Sequence, residues 1–134
     1  MEENEWKEKL SPERYKILRE AGTEPAFSGE LLNNKQSGMY KCAACGNELF
    51  SSETKFESSS GWPSFYEAVD SKKIKLLEDN SLSMKRIEVR CANCDSHLGH
   101  VFNDGPQPTG QRYCINSLAL EFEEKQPQRN VQAV

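Results

Sequence analysis

The sequence predicts a mainly β, antiparallel domain preceded by one N-terminal helix. Helical spacing is confined to the residues before Gly22, short alternating segments follow Gly38, and clusters of turn residues separate them. The chain of 134 residues has about the length of one domain, and neither repeats nor a second domain are evident. We therefore expect a single domain over residues 1–134, with a core between about residues 10 and 122 and a polar tail over 125–134.

The N-terminal helix is predicted over residues 12–21. Ser11 can cap its N-terminus, Pro12 suits the first helical position, and Gly22 can end it. Trp6 and Leu10 indicate a short helical turn before this helix.

Alternating apolar residues predict strands in the middle of the chain. Leu82 and Met84 share one parity, whereas Ile87 and Val89 fall on the other. Because side chains alternate between the two faces of a strand, this change of parity predicts a β-bulge or a change of exposed face.

A further strand is predicted near the C-terminus. Leu118, Leu120 and Phe122 alternate with small or acidic residues, as in a half-buried strand. The preceding segment, residues 103–111, is dense in glycine, proline and asparagine and is predicted to be a loop.

Four of the five cysteines form two identical C-x-x-C pairs. The four are Cys42, Cys45, Cys91 and Cys94. This spacing lets one turn direct both sulfurs at one metal ion, and four thiolates complete the tetrahedral shell of zinc. A thioredoxin-like redox pair, the alternative, uses a single pair in a βαβ setting. We expect one structural zinc, with no open position for metal catalysis or a zinc hydrolase.

The residues that follow the two pairs support this interpretation. Gly46 and Asp95 each come directly after the second cysteine. Both residue types tolerate a left-handed backbone, which would let each turn close beneath the metal.

The fifth cysteine, Cys114, is the candidate nucleophile. Arg112 and Asn116 lie two residues away on either side, so on a strand the three side chains share one face. A neighbouring cation favours the thiolate, which is the reactive form. The alternative interpretation is that Cys114 is a small buried apolar residue without a chemical role.

Both histidines of the chain, His97 and His100, lie just after the second cysteine pair. Three interpretations without a catalytic role are open: the two histidines are exposed, they lie next to the zinc ligands, or they are spare metal ligands. A histidine near a thiolate is also a general acid at neutral pH, and this is the functional hypothesis.

The segment Gly61–Phe65 predicts a rigid turn that presents two aromatic side chains, Trp62 and Phe65. Such residues commonly belong to the core. Near a reactive sulfur they would form an apolar wall for a small substrate group.

Charge and composition exclude several classes of function. The net charge is −4 and no basic stripe is present, so nucleic acid is not expected as a ligand. No stretch approaches about 20 apolar residues, so a membrane span is not expected. The N-terminus lacks a signal peptide and the cysteine count is odd, which favours the cytoplasm. An organelle protein that has lost its transit peptide is the alternative.

Several motifs together resemble the B-type methionine sulfoxide reductases. These are the two cysteine pairs, Gly61–Phe65, His97–Phe102, Asp104–Pro106 and Arg112–Ser117, in that order and over about residues 10–122. The resemblance implies two antiparallel β-sheets, with a zinc that holds turns opposite the active site. It also implies a thiol-dependent oxidoreductase that repairs oxidised methionine by reducing the R epimer of its sulfoxide.

The resemblance assigns roles to particular residues. It implies Cys114 as nucleophile and Trp62 as the side chain that packs on the substrate methyl group. Phe65, from the same turn, is the second residue expected to contact the substrate. The catalytic neighbours that it implies are His97, His100, Asp104, Arg112 and Asn116. In the implied reaction the thiolate attacks the sulfoxide sulfur, His100 protonates the oxygen, and Cys114 becomes a sulfenic acid.

One departure from the family concerns Ser60. Many relatives carry a resolving cysteine at this place, and the other four thiols are assigned to zinc. We therefore expect a one-cysteine cycle, in which thioredoxin, glutaredoxin with glutathione or another small thiol reduces the Cys114 sulfenic acid directly. We also expect a monomer that acts on methionine sulfoxide in proteins, in peptides or as the free amino acid. A zinc-stapled binding module without enzymatic activity is the competing hypothesis, in which Cys114 has no use.

Overall fold

The computed structural model describes residues 3–80 and 85–124. Within these ranges the chain is mainly β, with two antiparallel sheets preceded by two short α-helices, so the predicted fold class is confirmed. Leu82, Met84 and residues 125–134 lie outside the described residues, and the predicted change of parity stays a prediction. Neither helix of the described part is long and apolar enough to span a membrane.

The two helices precede the sheets. Helix α1 covers Glu3–Lys9 and helix α2 covers Pro12–Glu20. The Ser11 hydroxyl accepts a hydrogen bond from the Arg14 N–H at 3.2 Å, which confirms the predicted cap. The predicted helical turn around Trp6 is α1, and this side chain is buried.

The C-terminus of α2 differs from the prediction in one detail. Ala21, and not Gly22, adopts the left-handed conformation, with φ 55°. The Gly22 N–H binds the Lys16 carbonyl at 2.9 Å, and a Cβ on Gly22 would lie 2.9 Å from that oxygen. A glycine is therefore needed at position 22 because the Lys16 carbonyl approaches its Cα closely, and not because of its φ.

Nine strands lie within the described ranges. They are β1 (Gly38–Cys42), β2 (Glu48–Ser51), β3 (Lys55–Phe56), β4 (Ser64–Phe65), β5 (Ile74–Asp79), β6 (Arg86–Cys91), β7 (His97–Phe102), β8 (Arg112–Ile115) and β9 (Leu120–Glu124). The smaller sheet has the order β2–β1–β9, and the larger has the order β3–β4–β8–β7–β6–β5. Residues 103–111 connect β7 to β8 without helix or strand, as predicted.

The C-terminal strand begins later than predicted. Residues Ser117–Ala119 form a 3-10 turn, and β9 starts only at Leu120. Ala119 is fully buried, although the alternation placed it on the exposed face. The carboxylate of Glu24 binds two backbone N–H groups of this turn, which holds the backbone out of the extended conformation.

The core lies between the two sheets and is aromatic. Tyr40 of β1 and Phe50 of β2 pack against Phe65 of β4, with ring centroids 5.0 and 4.6 Å apart. Phe50 also contacts Tyr113 of β8 at 5.6 Å. These contacts join the smaller sheet to the two strands that carry Ser64 and Cys114.

Glu24 ties the segment before β1 to the junction of β8 and β9. Its side chain is buried, and its carboxylate accepts hydrogen bonds from the N–H groups of Ser117 at 2.9 Å and Leu118 at 3.0 Å. Its own N–H donates to Oδ1 of Asn116 at 2.9 Å. One residue therefore fixes two parts of the chain that are distant in sequence.

We predict that Glu24→Gln lowers the free energy of unfolding by about 1–3 kcal/mol, because an amide nitrogen cannot accept a hydrogen bond from a buried N–H. Glu30→Gln, an exposed site in the same segment, is the control and should have little effect. Urea denaturation of the two variants measures the difference. Equal stability of the variants would show that the Glu24 carboxylate does not hold the fold together.

Candidate active site

The four paired cysteines converge at one point. Cys42 Sγ lies 3.7 Å from Cys94 Sγ, Cys45 Sγ lies 3.6 Å from Cys91 Sγ, and all four sulfurs are within 4.8 Å of one another. Tetrahedral zinc with Zn–S bonds of about 2.3 Å requires sulfurs about 3.8 Å apart. The four cysteines therefore fit a metal ion of this coordination.

The two turns that carry these cysteines have the same backbone geometry. The Gly46 N–H binds the Cys42 carbonyl and the Asp95 N–H binds the Cys91 carbonyl, both at 2.8 Å. Gly46 has φ 82° and Asp95 has φ 66°, so the predicted left-handed conformations are confirmed. Each turn closes back on its first cysteine and directs two sulfurs to the same point.

Neighbouring residues hold the turns in place. Arg19 of α2 donates to the Cys94 carbonyl at 2.8 Å, and the Asn47 amide donates to Cys91 Sγ at 3.5 Å. The contacts of Cys42 with Cys91 and Cys94, together with burial, raise the pKa of the Cys42 thiol. Four thiolates at this spacing require a cation, which a bound metal would supply.

Cys114 lies on β8, outside the cysteine cluster, and is partly exposed. In the larger sheet it is directly opposite Ser64 of β4 and His100 of β7. His100 is in turn opposite Glu88 of β6. The register thus places a hydroxyl, a thiol, an imidazole and a carboxylate in one row across four strands.

Arg112 is fixed against the sulfur by three contacts. Its Nη1 donates to Cys114 Sγ at 2.8 Å. Its Nε and Nη2 donate to the two oxygens of Asp104, at 2.7 and 3.0 Å, and its guanidinium lies 4.5 Å from the centroid of the Phe102 ring. The Arg112 guanidinium holds the pKa of Asp104 below its ordinary value, and Asp104 raises the pKa of Arg112. A permanent positive charge is therefore oriented at the thiol.

His97 is buried and paired with Glu88. Its Nδ1 lies 2.7 Å from Glu88 Oε2, and its Nε2 has no hydrogen-bond partner among the described residues. Burial lowers the pKa of His97, against the opposing effect of Glu88. Burial raises the pKa of Glu88, but hydrogen bonds from Arg90 and His97 outweigh it and hold that pKa below its ordinary value. A neutral imidazole that donates through Nδ1 to an ionised carboxylate follows from these environments.

His100 is held differently. Its Nε2 lies 2.8 Å from Asp79 Oδ2, and Arg86 Nη2 donates to the same oxygen at 3.3 Å. The rings of His100 and His97 are 5.5 Å apart and nearly perpendicular. Each histidine therefore has its own carboxylate partner: Glu88 on the neighbouring strand β6 for His97, and Asp79 on β5, one strand further, for His100.

A cavity of about 270 Å³ opens beside Cys114. Five residues singled out in the sequence line it: Trp62, His100, Arg112, Cys114 and Asn116. Thr23, Arg86, Gly99 and Phe102 complete the wall. The Trp62 indole donates to the Glu24 carbonyl at 3.0 Å, which fixes the ring at the cavity edge.

Asn116 and Phe65 occupy positions other than direct contact with the sulfur. Asn116 is buried, and its amide donates to the Leu98 carbonyl at 3.0 Å and accepts from Glu24. Phe65 is fully buried and stacks on Phe50. Phe65 therefore supports the strand of Ser64 from behind instead of lining the cavity.

Ser60 lies next to the Cys114 thiol. Its hydroxyl oxygen is 3.4 Å from Cys114 Sγ, and the Ser64 hydroxyl is 3.8 Å from the same sulfur. The Ser58 hydroxyl donates to the Ser60 hydroxyl at 2.8 Å, and it lies 2.6 Å from the Ser64 hydroxyl. The position at which the resemblance places a resolving cysteine is thus occupied by a hydroxyl close to the Cys114 sulfur.

Sequence reasoning missed three acidic residues: Glu24, Asp79 and Glu88. Asp79 and Glu88 reach the histidines through strand pairing, and no local motif marks them. Glu24 acts over more than 90 residues of sequence separation. A correct strand register would have revealed Glu88, because it lies directly opposite His100.

Comparison with known proteins shows similarity along most of the chain. The SelR domain model matches residues 10–124. A peptide methionine sulfoxide reductase MsrB of Methanosarcina mazei is 64% identical, covering 90% of this chain and 86% of the relative. Proteins of the same name from Synechococcus sp. and Leptospira interrogans are 56% and 55% identical, each over 92% of this chain and over 90% and 94% of their own lengths. The chain therefore belongs to the SelR domain family.

Proposed function

We propose that this chain reduces the R epimer of methionine sulfoxide in peptides or proteins to methionine, with Cys114 as its nucleophile. The reductase activity itself follows from family membership and from the names of the relatives, so the chain is an oxidoreductase and not a non-enzymatic binding module. The observation that carries the assignment of Cys114 is the 2.8 Å contact between Arg112 Nη1 and its sulfur, in a cavity walled by Trp62.

The proposed reaction begins with attack of the Cys114 thiolate on the sulfoxide sulfur. The sulfoxide oxygen takes a proton and is transferred to Cys114, which becomes a sulfenic acid while methionine leaves. His100 is the proposed proton donor, since it lines the cavity and lies opposite Cys114. Its Nε2 binds Asp79 in this structure, so we propose that the sulfoxide oxygen replaces the carboxylate when substrate binds.

The other residues position these groups. Arg112 stabilises negative charge on the sulfur, and Asp104 orients Arg112 through both of its oxygens. His97 does not contact the Cys114 sulfur and is therefore not the proposed proton donor. We propose that His97, held by its buried hydrogen bond to Glu88, packs against the ring of His100 and fixes its position. Asn116 is proposed to hold the cavity wall through its bonds to Leu98 and Glu24.

Trp62 is the proposed contact for the S-methyl group of the substrate. Its indole faces the cavity and is fixed by Glu24, so it presents a flat apolar surface at a defined place. With the methyl group held there and the oxygen directed at His100, only one epimer would place its carbon chain towards the cavity opening and leave its sulfur accessible to Cys114. This arrangement is the proposed basis of the preference for the R sulfoxide.

We propose zinc as the metal of the four-cysteine site. A zinc ion there would cross-link the two cysteine turns and would not act in catalysis, because four thiolates fill all of its coordination positions. The four ligands would be Cys42, Cys45, Cys91 and Cys94. The same thiolates, and Cys114, require a reducing compartment, which supports the cytoplasm as the location. We also propose that the protein is a monomer. Its oxidised Cys114 would be reduced by thioredoxin, glutaredoxin or a small thiol.

The first experiment is an assay of the purified protein with separated R and S epimers of a methionine sulfoxide peptide and dithiothreitol. We expect reduction of the R epimer alone, and complete loss of activity in Cys114→Ser, because the hydroxyl is a much weaker nucleophile. The circular dichroism spectrum of Cys114→Ser should match the wild type. Reduction of the S epimer, or an active Cys114→Ser variant, would contradict the proposal.

The second experiment tests the metal site. Cys91→Ser should lose the bound zinc and unfold or melt far below the wild type, because structural zinc contributes on the order of 10 kcal/mol to such sites. Cys114→Ser, which leaves the four ligands intact, is the matched control and should keep one zinc per chain. Metal analysis and thermal melting give the result. A folded Cys91→Ser variant with a full complement of metal would refute the structural role.

A further inference from the structure

The aromatic ring of Phe27 is exposed to solvent. It is 69% exposed, more than any other large apolar residue among those described. Its φ of 66° is uncommon for a bulky residue and places the backbone in the left-handed region. Exposure of an aromatic ring and an unfavourable backbone conformation together indicate a residue retained for binding rather than for packing.

The Phe27 backbone is firmly positioned. Its N–H donates to the Gly61 carbonyl at 2.7 Å. Gly61 has φ 96°, and a Cβ at this position would lie 2.7 Å from Cβ of Ala26 and 3.1 Å from the Phe27 ring. The segment that carries the exposed ring therefore packs directly on the residue before Trp62.

Beside this ring lies a groove of about 310 Å³, here called the Phe27 groove. Its apolar walls are Phe27, Leu32, Phe56 and Trp62. Trp62 also lines the cavity that contains Cys114, so the two depressions share one indole. Glu24 fixes that indole through its carbonyl, which gives both depressions a common rigid wall.

We propose that the Phe27 groove binds an apolar side chain of a polypeptide substrate, next to the methionine sulfoxide that enters the Cys114 cavity. This inference rests on the proposed function and extends it to the residues that flank the sulfoxide. The cavity of about 270 Å³ accommodates one side chain, so the substrate main chain must leave over its edge. In an extended chain, side chains two residues apart lie on the same face and about 6.6 Å from each other, so the side chain two positions from the sulfoxide reaches across a single indole.

The dimensions favour a peptide over a second copy of the chain. A stable dimer buries about 800 Å² on each partner, far more than one exposed ring and a groove of side-chain size provide. The continuity with the Cys114 cavity through Trp62 instead matches one peptide that occupies both depressions. The groove would thus distinguish sulfoxides within apolar peptide sequences from the free amino acid.

The test compares three substrates of R configuration: free methionine sulfoxide, a peptide with leucine at the two positions on each side of the sulfoxide, and the same peptide with glycine at those positions. For Phe27→Ala we expect kcat/KM to fall about tenfold with the leucine peptide, because loss of an apolar pocket contact has roughly this effect. With the glycine peptide and the free amino acid we expect no change. Phe27→Leu, which keeps an apolar wall, should retain most of the activity on the leucine peptide.

Two further variants complete the test. Leu32→Ala removes another wall of the groove and should show the same selective loss. Val69→Ala changes an exposed apolar residue that lines neither depression and should have no effect on any substrate. Equal loss on all three substrates, or no loss in Phe27→Ala and Leu32→Ala, would overturn the inference. A wild-type protein that reduces none of the substrates would instead refute the proposed function.

Discussion

The buried carboxylate of Glu24 is the interaction on which the site depends. It binds two N–H groups in the turn after Cys114, while the Glu24 backbone binds Asn116 and the Trp62 indole. Two walls of the cavity beside Cys114 are therefore fixed by a residue outside both sheets. A buried acceptor of this kind favours one arrangement strongly, because leaving its partners unsatisfied costs more than the bonds contribute. The stability of the fold and the geometry of the cavity are coupled through this residue.

The five cysteines divide into two roles because of their surroundings. Four sulfurs face one another at metal-ligand spacing, which makes them unavailable for redox chemistry when a metal is bound. Cys114 faces Arg112 and the hydroxyls of Ser60 and Ser64 instead. The positive charge suits a thiolate, and these groups provide no second thiol that could remove the proposed sulfenic acid.

Local features were predictable from the sequence, and long-range pairings were not. Ser11 and Pro12 predicted the start of α2, and Gly46 and Asp95 predicted the left-handed turns, because these preferences act within a few residues. The strand predicted from Leu118 fails since Glu24, far away in sequence, imposes a 3-10 turn there. Similarly, the spacing of Arg112 and Cys114 indicated their contact, whereas the carboxylate partners of the two histidines depend on the register of β5, β6 and β7.

The most direct test of a single-nucleophile reductase is the mass of the protein after one turnover. The zinc-loaded enzyme is mixed with one equivalent of R sulfoxide peptide without reductant, and its intact mass and peptide map are recorded. We expect the mass of one added oxygen atom, located on Cys114, with the other four cysteines unmodified. In a parallel sample, dimedone should label the same cysteine, because it reacts with sulfenic acids. Ser60→Cys is the control and should instead lose two hydrogens, because the two sulfurs would lie within disulfide reach. Loss of two hydrogens in the wild type, or oxygen on another residue, would contradict this account.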